Sequence, residues 1–214
     1  EKFLYESANK KLYRNLFSKA DLVLVLSEQW RRWIKEALGL TEHIEVLFNP
    51  CPMIEPKPEL KQKEILFAGT VIPRKGYADL IRGFSKIASS FPDWKVVIAG
   101  NGEIDKAKAI AKECGIEKQV VFLGWVNGKA KDLAFQRASI YCLASDGEGF
   151  PMGVLDAWAY GIPCVVTPVG GLPDIVVDGE NALVFPVGDV DVLARQLERM
   201  ISDDELREKI ADAS

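Results

Sequence analysis

Histidine is almost missing from this sequence: His43 is the one imidazole among 214 residues. A histidine-based catalytic triad and a multi-histidine metal site are thereby excluded unless another chain contributes. His43 itself reads as a solvated loop residue. Cysteine is sparse too. Cys51, Cys114, Cys142 and Cys164 form no C-x-x-C pair, and two of them fall inside apparent strands. Buried, reduced thiols of a cytoplasmic protein are therefore expected, not a disulfide framework. Long apolar runs are absent as well, and stretches such as residues 22–26 are far too short to span a bilayer. The first residues lack the uninterrupted apolar core of a signal peptide. There is no basic excess, since the net charge is −4, and nucleic acid is disfavoured as the main partner.

What is present is the composition of a soluble globular chain, 48% hydrophobic and 27% charged, long enough to bury a parallel-sheet core. Residue 1 already lies within a helical pattern and residue 214 falls partway through another, so a piece of a longer protein is expected. Apolar positions 12, 13, 16, 17 and 20 in EKFLYESANKKLYRNLFSKA recur with helical period. ADLVLVLS (20–27) reads as a buried strand, EQWRRWIKEALGL as a helix ending near Gly39, and IEVLFNP (44–50) as a second strand. Pro50, Pro52, Pro56 and Pro58 then follow in close succession. That spacing forbids helix and disfavours a central strand. Residues 51–63 are expected to be an extended linker between a small first domain, 1–50, and a larger second one, 64–214.

In the second part, apolar runs and helical stretches alternate. Strands are expected at EILFAG (64–69), WKVVIAG (94–100), QVVFLG (119–124), SIYCLA (139–144), PCVVT (163–167) and ALVF (182–185), with helices in every gap. Near-continuous apolar strands separated by helices indicate a doubly wound, Rossmann-like α/β domain whose six-stranded parallel sheet is covered on both faces. The order 3-2-1-4-5-6 makes the first and fourth strands neighbours at a topological switch point, where such folds bind ligands beyond the carboxyl ends. The loops emerging there are GTVIPRKG (69–76) and SDGEGFP (145–151).

Arg74 and Lys75 stand just before Gly76 and a helix expected over residues 77–89, whose start offers unpaired N–H groups and partial positive charge. A forked guanidinium and a compact ammonium beside it make a diphosphate clamp. An isolated Arg-Lys pair is more often solvated loop, but the facing second loop reverses that balance. The segment is not a Walker A loop, and Gly100-Asn101-Gly102 lacks the third glycine of a dinucleotide fingerprint and follows the wrong strand, which rejects a nicotinamide or flavin site. Asp189-Val190-Asp191 has the D-x-D form of some metal-dependent sugar transferases, yet it opens a helix and reads as N-cap and first-turn acid. Ser202-Asp203-Asp204-Glu205 reads as a capping box by the same logic.

In the second loop Pro151 suits the first turn of a helix that runs to about Tyr160 and stops at Gly161, with Leu155, Trp158 and Ala159 as its buried stripe. The N–H groups of Met152 and Gly153 would then point toward an anion. Glu148 stands just outside this helix and Asp156 about a turn and a half inside it. Surface solvation is the plain reading of two such acids. The alternative is a pair of carboxylates that accept hydrogen bonds from hydroxyl groups at the two ends of a nucleotide sugar, with its diphosphate between them.

Taken together, these motifs resemble a known family. Glu148-Gly149-Phe150-Pro151 followed by Asp156-Ala157-Trp158-Ala159-Tyr160-Gly161-Ile162-Pro163, then Gly170-Gly171-Leu172-Pro173-Asp174, resemble the E-x7-E region and GG-x-x-E loop of retaining GT-B glycosyltransferases of family 4. GTVIPRKG is similar to that family's phosphate loop, and VVIAGNGE (96–103), VVFLGWV (120–126) and DGENALVFPVGD (178–189) match further segments. The resemblance runs over about residues 20–200. It implies the donor-binding C-terminal half of a glycosyltransferase, preceded by the tail of an N-terminal acceptor-side domain. The full enzyme would transfer a sugar with retention from a nucleotide-diphosphate donor to an acceptor sugar, lipid or polysaccharide at the cytoplasmic face, with no metal or other cofactor.

By the same resemblance, Arg74 and Lys75 would bind the diphosphate and stabilise the departing nucleotide, and Glu148 would contact the donor sugar. The backbone of Gly149, Phe150, Pro151, Met152 and Gly153 would meet sugar and phosphate, Asp156 the ribose hydroxyls, and Trp125 and Val126 the base. Gly69, Thr70 and Asn101 would line the donor site. Asp156 replaces the usual second Glu and is one methylene shorter, and Thr70 stands where many members carry Arg. A stand-alone donor-binding subunit and a GT-B sugar-nucleotide epimerase are the alternatives. The basic stretch Lys10, Lys11, Arg14, Lys19, Arg31 and Arg32, interleaved with Phe17, Trp30 and Trp33, is expected to pack against the missing domain, with peripheral contact to an anionic membrane as the alternative. An orphan strand at residues 22–26 predicts exposed apolar surface.

Overall fold

The computed structural model describes residues 7–214, so the start of the helix expected from residue 1 lies outside the described residues. The chain forms two compact units. One joins the residues up to Pro50 with Glu148–Pro151 and Gly170–Ile175; the other joins Cys51–Gly147, Met152–Val169 and Val176–Ser214.

In the first unit α1 (Ser7–Phe17), β1 (Val23–Val25), α2 (Glu28–Leu38) and β2 (Ile44–Val46) follow one another. The strands pair in parallel, from Val23 opposite Ile44 to Val25 opposite Val46. Ser27 caps α2 by accepting a hydrogen bond from the Trp30 N–H at 3.1 Å, and Gly39 closes it at φ 67°, the left-handed angle glycine adopts without steric cost. Val25, Ile34, Leu38 and Ile44 make the core, with Tyr13, Phe17, Trp30 and Trp33 packed on it. The aromatic residues of the basic stretch, Phe17, Trp30 and Trp33, are each half-buried against this unit's own core. β1 is not the fully buried strand expected: Val25 is buried, whereas Leu22, Leu24 and Leu26 are exposed. Among the described residues β2 is its one strand neighbour and one face is covered, which produces that alternation, and the apolar surface expected of an orphan strand is present.

The second unit contains the expected sheet. Its strands are β3 (Glu64–Ala68), β4 (Lys95–Ala99), β5 (Val120–Gly124), β6 (Ile140–Leu143), β7 (Cys164–Val166) and β8 (Leu183–Val184), in the spatial order β5-β4-β3-β6-β7-β8. Every pairing is parallel, and β3 meets β6 with Ile65 opposite Ile140 and Leu66 opposite Tyr141. This is the 3-2-1-4-5-6 order, with its switch point between β3 and β6. Both faces are covered. Ile65, Phe67, Val96, Ile98 and Cys142 pack with residues of α3 (Tyr77–Ser85), α4 (Ile104–Glu113), α7 (Val190–Ser202) and α8 (Asp204–Ala213). On the opposite face lie α5 (Gly128–Arg137) and α6 (Met152–Ala159), where Phe135 stacks on Tyr141 at a centroid distance of 6.1 Å.

Four local expectations are corrected. No α-helix fills the gap between β7 and β8; a 3₁₀ turn at Leu172–Asp174 does, because Pro168, Gly170, Gly171 and Pro173 interrupt any helical run. The buried residues of α6 are Val154, Leu155 and Ala157, while Trp158 and Ala159 are half-buried, since this helix leans on both β6 and β7. The thiols divide: Cys142 and Cys164 are buried, and burial raises the pKa of both. Cys114 is only half-buried at the end of α4, and Cys51 is exposed on the proline-rich segment. Finally, the cap of α8 is Asp203, whose carboxylate accepts from the Leu206 N–H at 2.9 Å. Ser202 instead ends α7, with its hydroxyl donating to the Glu198 carbonyl at 2.7 Å. Asp203→Ala is accordingly expected to cost about 1 kcal/mol of stability by urea denaturation, and Ser202→Ala less than about 0.5. Equal losses would contradict this capping assignment. Asp189 does cap α7 as expected, accepting from the Val192 N–H at 2.9 Å, with Asp191 in the first turn.

Residues 51–63 form neither α-helix nor strand, and a 3₁₀ turn at Pro58–Leu60 interrupts them. The buried Gln136 side chain fastens them: its carbonyl accepts from the Lys57 N–H at 2.9 Å and its amide donates to the Glu55 carbonyl at 3.1 Å. The Lys61 ammonium donates to the carbonyls of Ala138 and Tyr160 at 2.9 and 3.3 Å, and burial lowers its pKa to about 8.

Candidate functional site

The loop leaving β3 is stitched to the loop leaving β4. Gly69 N–H donates to the Ala99 carbonyl at 3.0 Å, Val71 N–H to the Asn101 carbonyl at 2.7 Å, and Glu103 N–H to the Val71 carbonyl at 2.7 Å. A side chain at Gly100 would overlap the Gly69 carbonyl oxygen, and one at Gly102, where φ is 126°, would press on the Val71 carbonyl. The Gly-Asn-Gly segment therefore exists so that two backbones can cross closely. It brings Gly69, Thr70 and Asn101 to one place, with Thr70 and Asn101 exposed.

Pro73, Arg74 and Lys75 form a 3₁₀ turn of their own, and Gly76, at φ 69°, redirects the chain into α3. The two cations thus sit one turn ahead of the helix. Arg74 is exposed and Lys75 half-buried. The loop leaving β6 holds this turn: the Asp146 N–H donates to the Arg74 carbonyl at 2.9 Å, and the Arg74 guanidinium donates to the Gly147 carbonyl. Arg74 is therefore fixed from backbone and side chain at the carboxyl ends of the two strands that flank the switch point. The buried Thr167 hydroxyl supports the second loop by donating to the Ser145 carbonyl at 2.6 Å. Beside the first loop, Glu103 accepts from the Tyr77 hydroxyl at 2.9 Å and from the Lys106 ammonium at 2.7 Å. The hydrogen bond from Lys106, then that from Tyr77, holds the Glu103 carboxyl below its usual range. Burial and the Glu103 contact push the Tyr77 hydroxyl up to about 12, so it remains a donor at neutral pH.

At the start of α6, Met152 is exposed. A side chain at Gly153 would overlap the Tyr141 hydroxyl, which donates to the Ala68 carbonyl at 3.4 Å. Glycine thus lets this helix start lie against the ends of β3 and β6. Asp156 forms an ion pair with Lys131 of α5 at 2.7 Å. Trp125 is 64% exposed after β5. A groove of about 400 Å³ runs along β4, β5 and α5 past Val97, Val121, Leu123 and Leu133, and Val126 is the one expected site residue in its lining.

Glu148, Gly149, Phe150 and Pro151 belong to the first unit. There the Gly171 N–H donates to the Gly149 carbonyl at 2.9 Å. Gly170, at φ 62°, lies so close to the Glu148 carbonyl that a side chain would collide with it. Phe150 is buried with its ring 5.7 Å from that of Phe48. The Asp174 carboxylate accepts from the Glu28 N–H at 2.6 Å, at the first residue of α2.

Residues 53–214 match the family described as glycosyl transferases group 1. The chain belongs to that family. Among relatives of this glycosyltransferase chain, the phosphatidyl-myo-inositol mannosyltransferase of Mycolicibacterium smegmatis is 30% identical over 193 residues, 86% of this chain and 49% of the relative. The lipopolysaccharide 1,6-galactosyltransferase of Salmonella typhimurium is 27% identical over 203 residues, 92% of this chain and 56% of the relative. The chain thus spans about half the length of these curated relatives. Of solved structures, Anabaena HepE in complex with UDP has the same fold, with a TM-score of 0.89 at 19% identity over 100% of this chain and 63% of that one.

Within this glycosyltransferase chain, the larger unit brings Gly69, Thr70, Asn101, Arg74 and Lys75 to the switch point and sets Met152, Gly153 and Asp156 on α6. Two charged partners escaped the sequence reading. Glu103 carried a signal, since an acid directly after a glycine-bounded crossing loop is positioned by that crossing. Lys131 carried none, because it meets Asp156 only through the packing of two helices.

Proposed function

We propose that this chain binds a nucleotide-diphosphate sugar and that the full protein transfers the sugar, with retention, to a sugar, lipid or polysaccharide acceptor in cell-surface polysaccharide or glycolipid synthesis. The observation that carries this reading is the double fixation of Arg74 at the β3–β6 switch point, within a glycosyl transferases group 1 chain. A cation held there is preorganised for a diphosphate leaving group, the negative charge that grows as the anomeric carbon is released. Arg74 and Lys75 carry that neutralisation in this proposal, and no metal or other cofactor has a part in it. Glu148 contacts the donor sugar, the backbone of Gly149–Gly153 meets sugar and phosphate, Asp156 accepts from the ribose hydroxyls, and Trp125 and Val126 frame the base. Gly69, Thr70 and Asn101 line the approach to the diphosphate.

The mannosyltransferase and galactosyltransferase names of two relatives, and the UDP in the HepE crystal, support this choice of substrate class. A further domain on the acceptor side and action at the cytoplasmic face of a membrane belong to the same proposal. Among the described residues, no helix is long and apolar enough to cross a membrane. Titrating the chain with UDP, GDP, ADP and dTDP by calorimetry tests the reading. Saturable binding of at least one is expected, and saturable binding of none overturns it.

A further inference from the structure

The ion pair between Lys131 and Asp156 has a geometry that surface lacing does not require. The Lys131 ammonium lies 2.7 Å from Oδ2 of Asp156 and 5.4 Å from the centroid of the Phe135 ring, one turn along its own helix. Phe135 is fully buried and stacked on Tyr141, so the ammonium rests on a rigid platform. The other carboxylate oxygen of Asp156, Oδ1, accepts no hydrogen bond from the described residues. The Asp156 side chain is 16% exposed, enough for one edge to reach solvent or a ligand. The next residue of α5, Asp132, separately ties the two helical segments by accepting from the Tyr160 hydroxyl at 2.9 Å. The spacing of α5 and α6 therefore has its own fastening, and Lys131 is left to act on the carboxylate.

We infer that Lys131 is a positioning residue for the nucleotide: it holds Oδ2 of Asp156 so that Oδ1 is presented to the ribose hydroxyls. This rests on the proposed function, in which Asp156 is the ribose acceptor. A carboxylate on a short side chain has two rotatable bonds to freeze before it can accept from a hydroxyl, and freezing them beforehand removes that cost from binding. The arrangement also answers the missing methylene. Where a longer Glu reaches the ribose by its length, an Asp must be aimed, and Lys131 aims it. The effect is selective: it acts on recognition of the ribose hydroxyls and leaves diphosphate recognition at Arg74 and Lys75 unchanged.

The test compares the ribonucleoside diphosphate that binds best with its 2′,3′-dideoxy counterpart, on the unaltered chain and on Lys131→Met, Lys131→Arg, Asp156→Ala and Tyr160→Phe. The unaltered chain is expected to prefer the ribonucleotide roughly tenfold or more, the scale of a hydrogen bond to a charged group. Lys131→Met should cut that preference roughly three- to tenfold with dideoxynucleotide affinity unchanged. Lys131→Arg should restore most of it, Asp156→Ala should abolish it, and Tyr160→Phe should leave it in place. A wild-type preference that survives Lys131→Met overturns the positioning role. So does an equal loss of both ligands in that variant, or a Tyr160→Phe effect as large as that of Lys131→Met, because either assigns Lys131 to general binding or to helix lacing. Binding without ribose preference in the unaltered chain removes the Asp156 assignment and this inference with it, while leaving the diphosphate reading standing. Absence of nucleotide binding overturns both.

Discussion

Gly76→Ala is expected to lower the free energy of unfolding by about 2–5 kcal/mol. Two terms add. At φ 69° an L-residue pays about 1–2 kcal/mol for the left-handed backbone. The added Cβ also overlaps the carbonyl oxygen of Ala144, and relieving it means shifting backbone in a packed interior, about 1–3 kcal/mol. The site makes the cost unavoidable, because Ala144 follows β6 and Gly76 opens α3, both held by the buried core. Gly115→Ala is the matched control. Gly115 has φ 72° but nothing within 4 Å of its Cβ direction, so only the left-handed term applies. Urea denaturation of the two variants isolates the packing term. Equal losses would show that α3 does not press on the end of β6 as described.

The sheet was legible in the sequence because its central strands are buried on both faces: in β3, Glu64 to Phe67 are all buried, as is the whole of β6, and such runs betray themselves by composition alone. β1 misled for the converse reason. Its leucines make a continuous apolar run, yet one face is uncovered, and apolarity does not say which face finds a partner. The loops were legible as places but not as shapes. Arg74 and Lys75 were readable as cations before a helix, whereas the separate 3₁₀ turn that carries them depends on Gly76 meeting Ala144 across 68 residues of chain. The glycines of Gly100-Asn101-Gly102 were legible as a loop after a strand, but their partner, the carbonyl edge of residues 69–71, is set by strand order. Pairings between distant helices were not legible at all. Lys131 with Asp156, and Asp174 with the start of α2, arise from packing geometry, and no local periodicity encodes them.

Arg74→Ala is expected to weaken binding of every nucleoside diphosphate by about 1.5–3 kcal/mol, roughly ten- to 150-fold, the scale of hydrogen bonds to charged groups. The substitution is clean in one respect that the structure makes clear. The Arg74 carbonyl, which accepts from the Asp146 N–H at 2.9 Å, is kept, so the joined loops stay anchored through the main chain. What is lost is the guanidinium, including its hydrogen bond to the Gly147 carbonyl. Arg74 is exposed, so the fold should tolerate the change to within about 0.5 kcal/mol, and affinity should fall far more than stability. Arg74→Lys separates charge from shape: a point charge retains part of the attraction but not the fork that grips two oxygens at once, and an intermediate loss is expected. Glu148→Ala is the complementary measurement. It should leave nucleoside diphosphates unchanged and weaken only the intact sugar nucleotide, because its assigned partner is the sugar. Unchanged diphosphate affinity in Arg74→Ala would remove the clamp, and an equal loss of both ligand types in Glu148→Ala would place that carboxylate at the nucleotide instead.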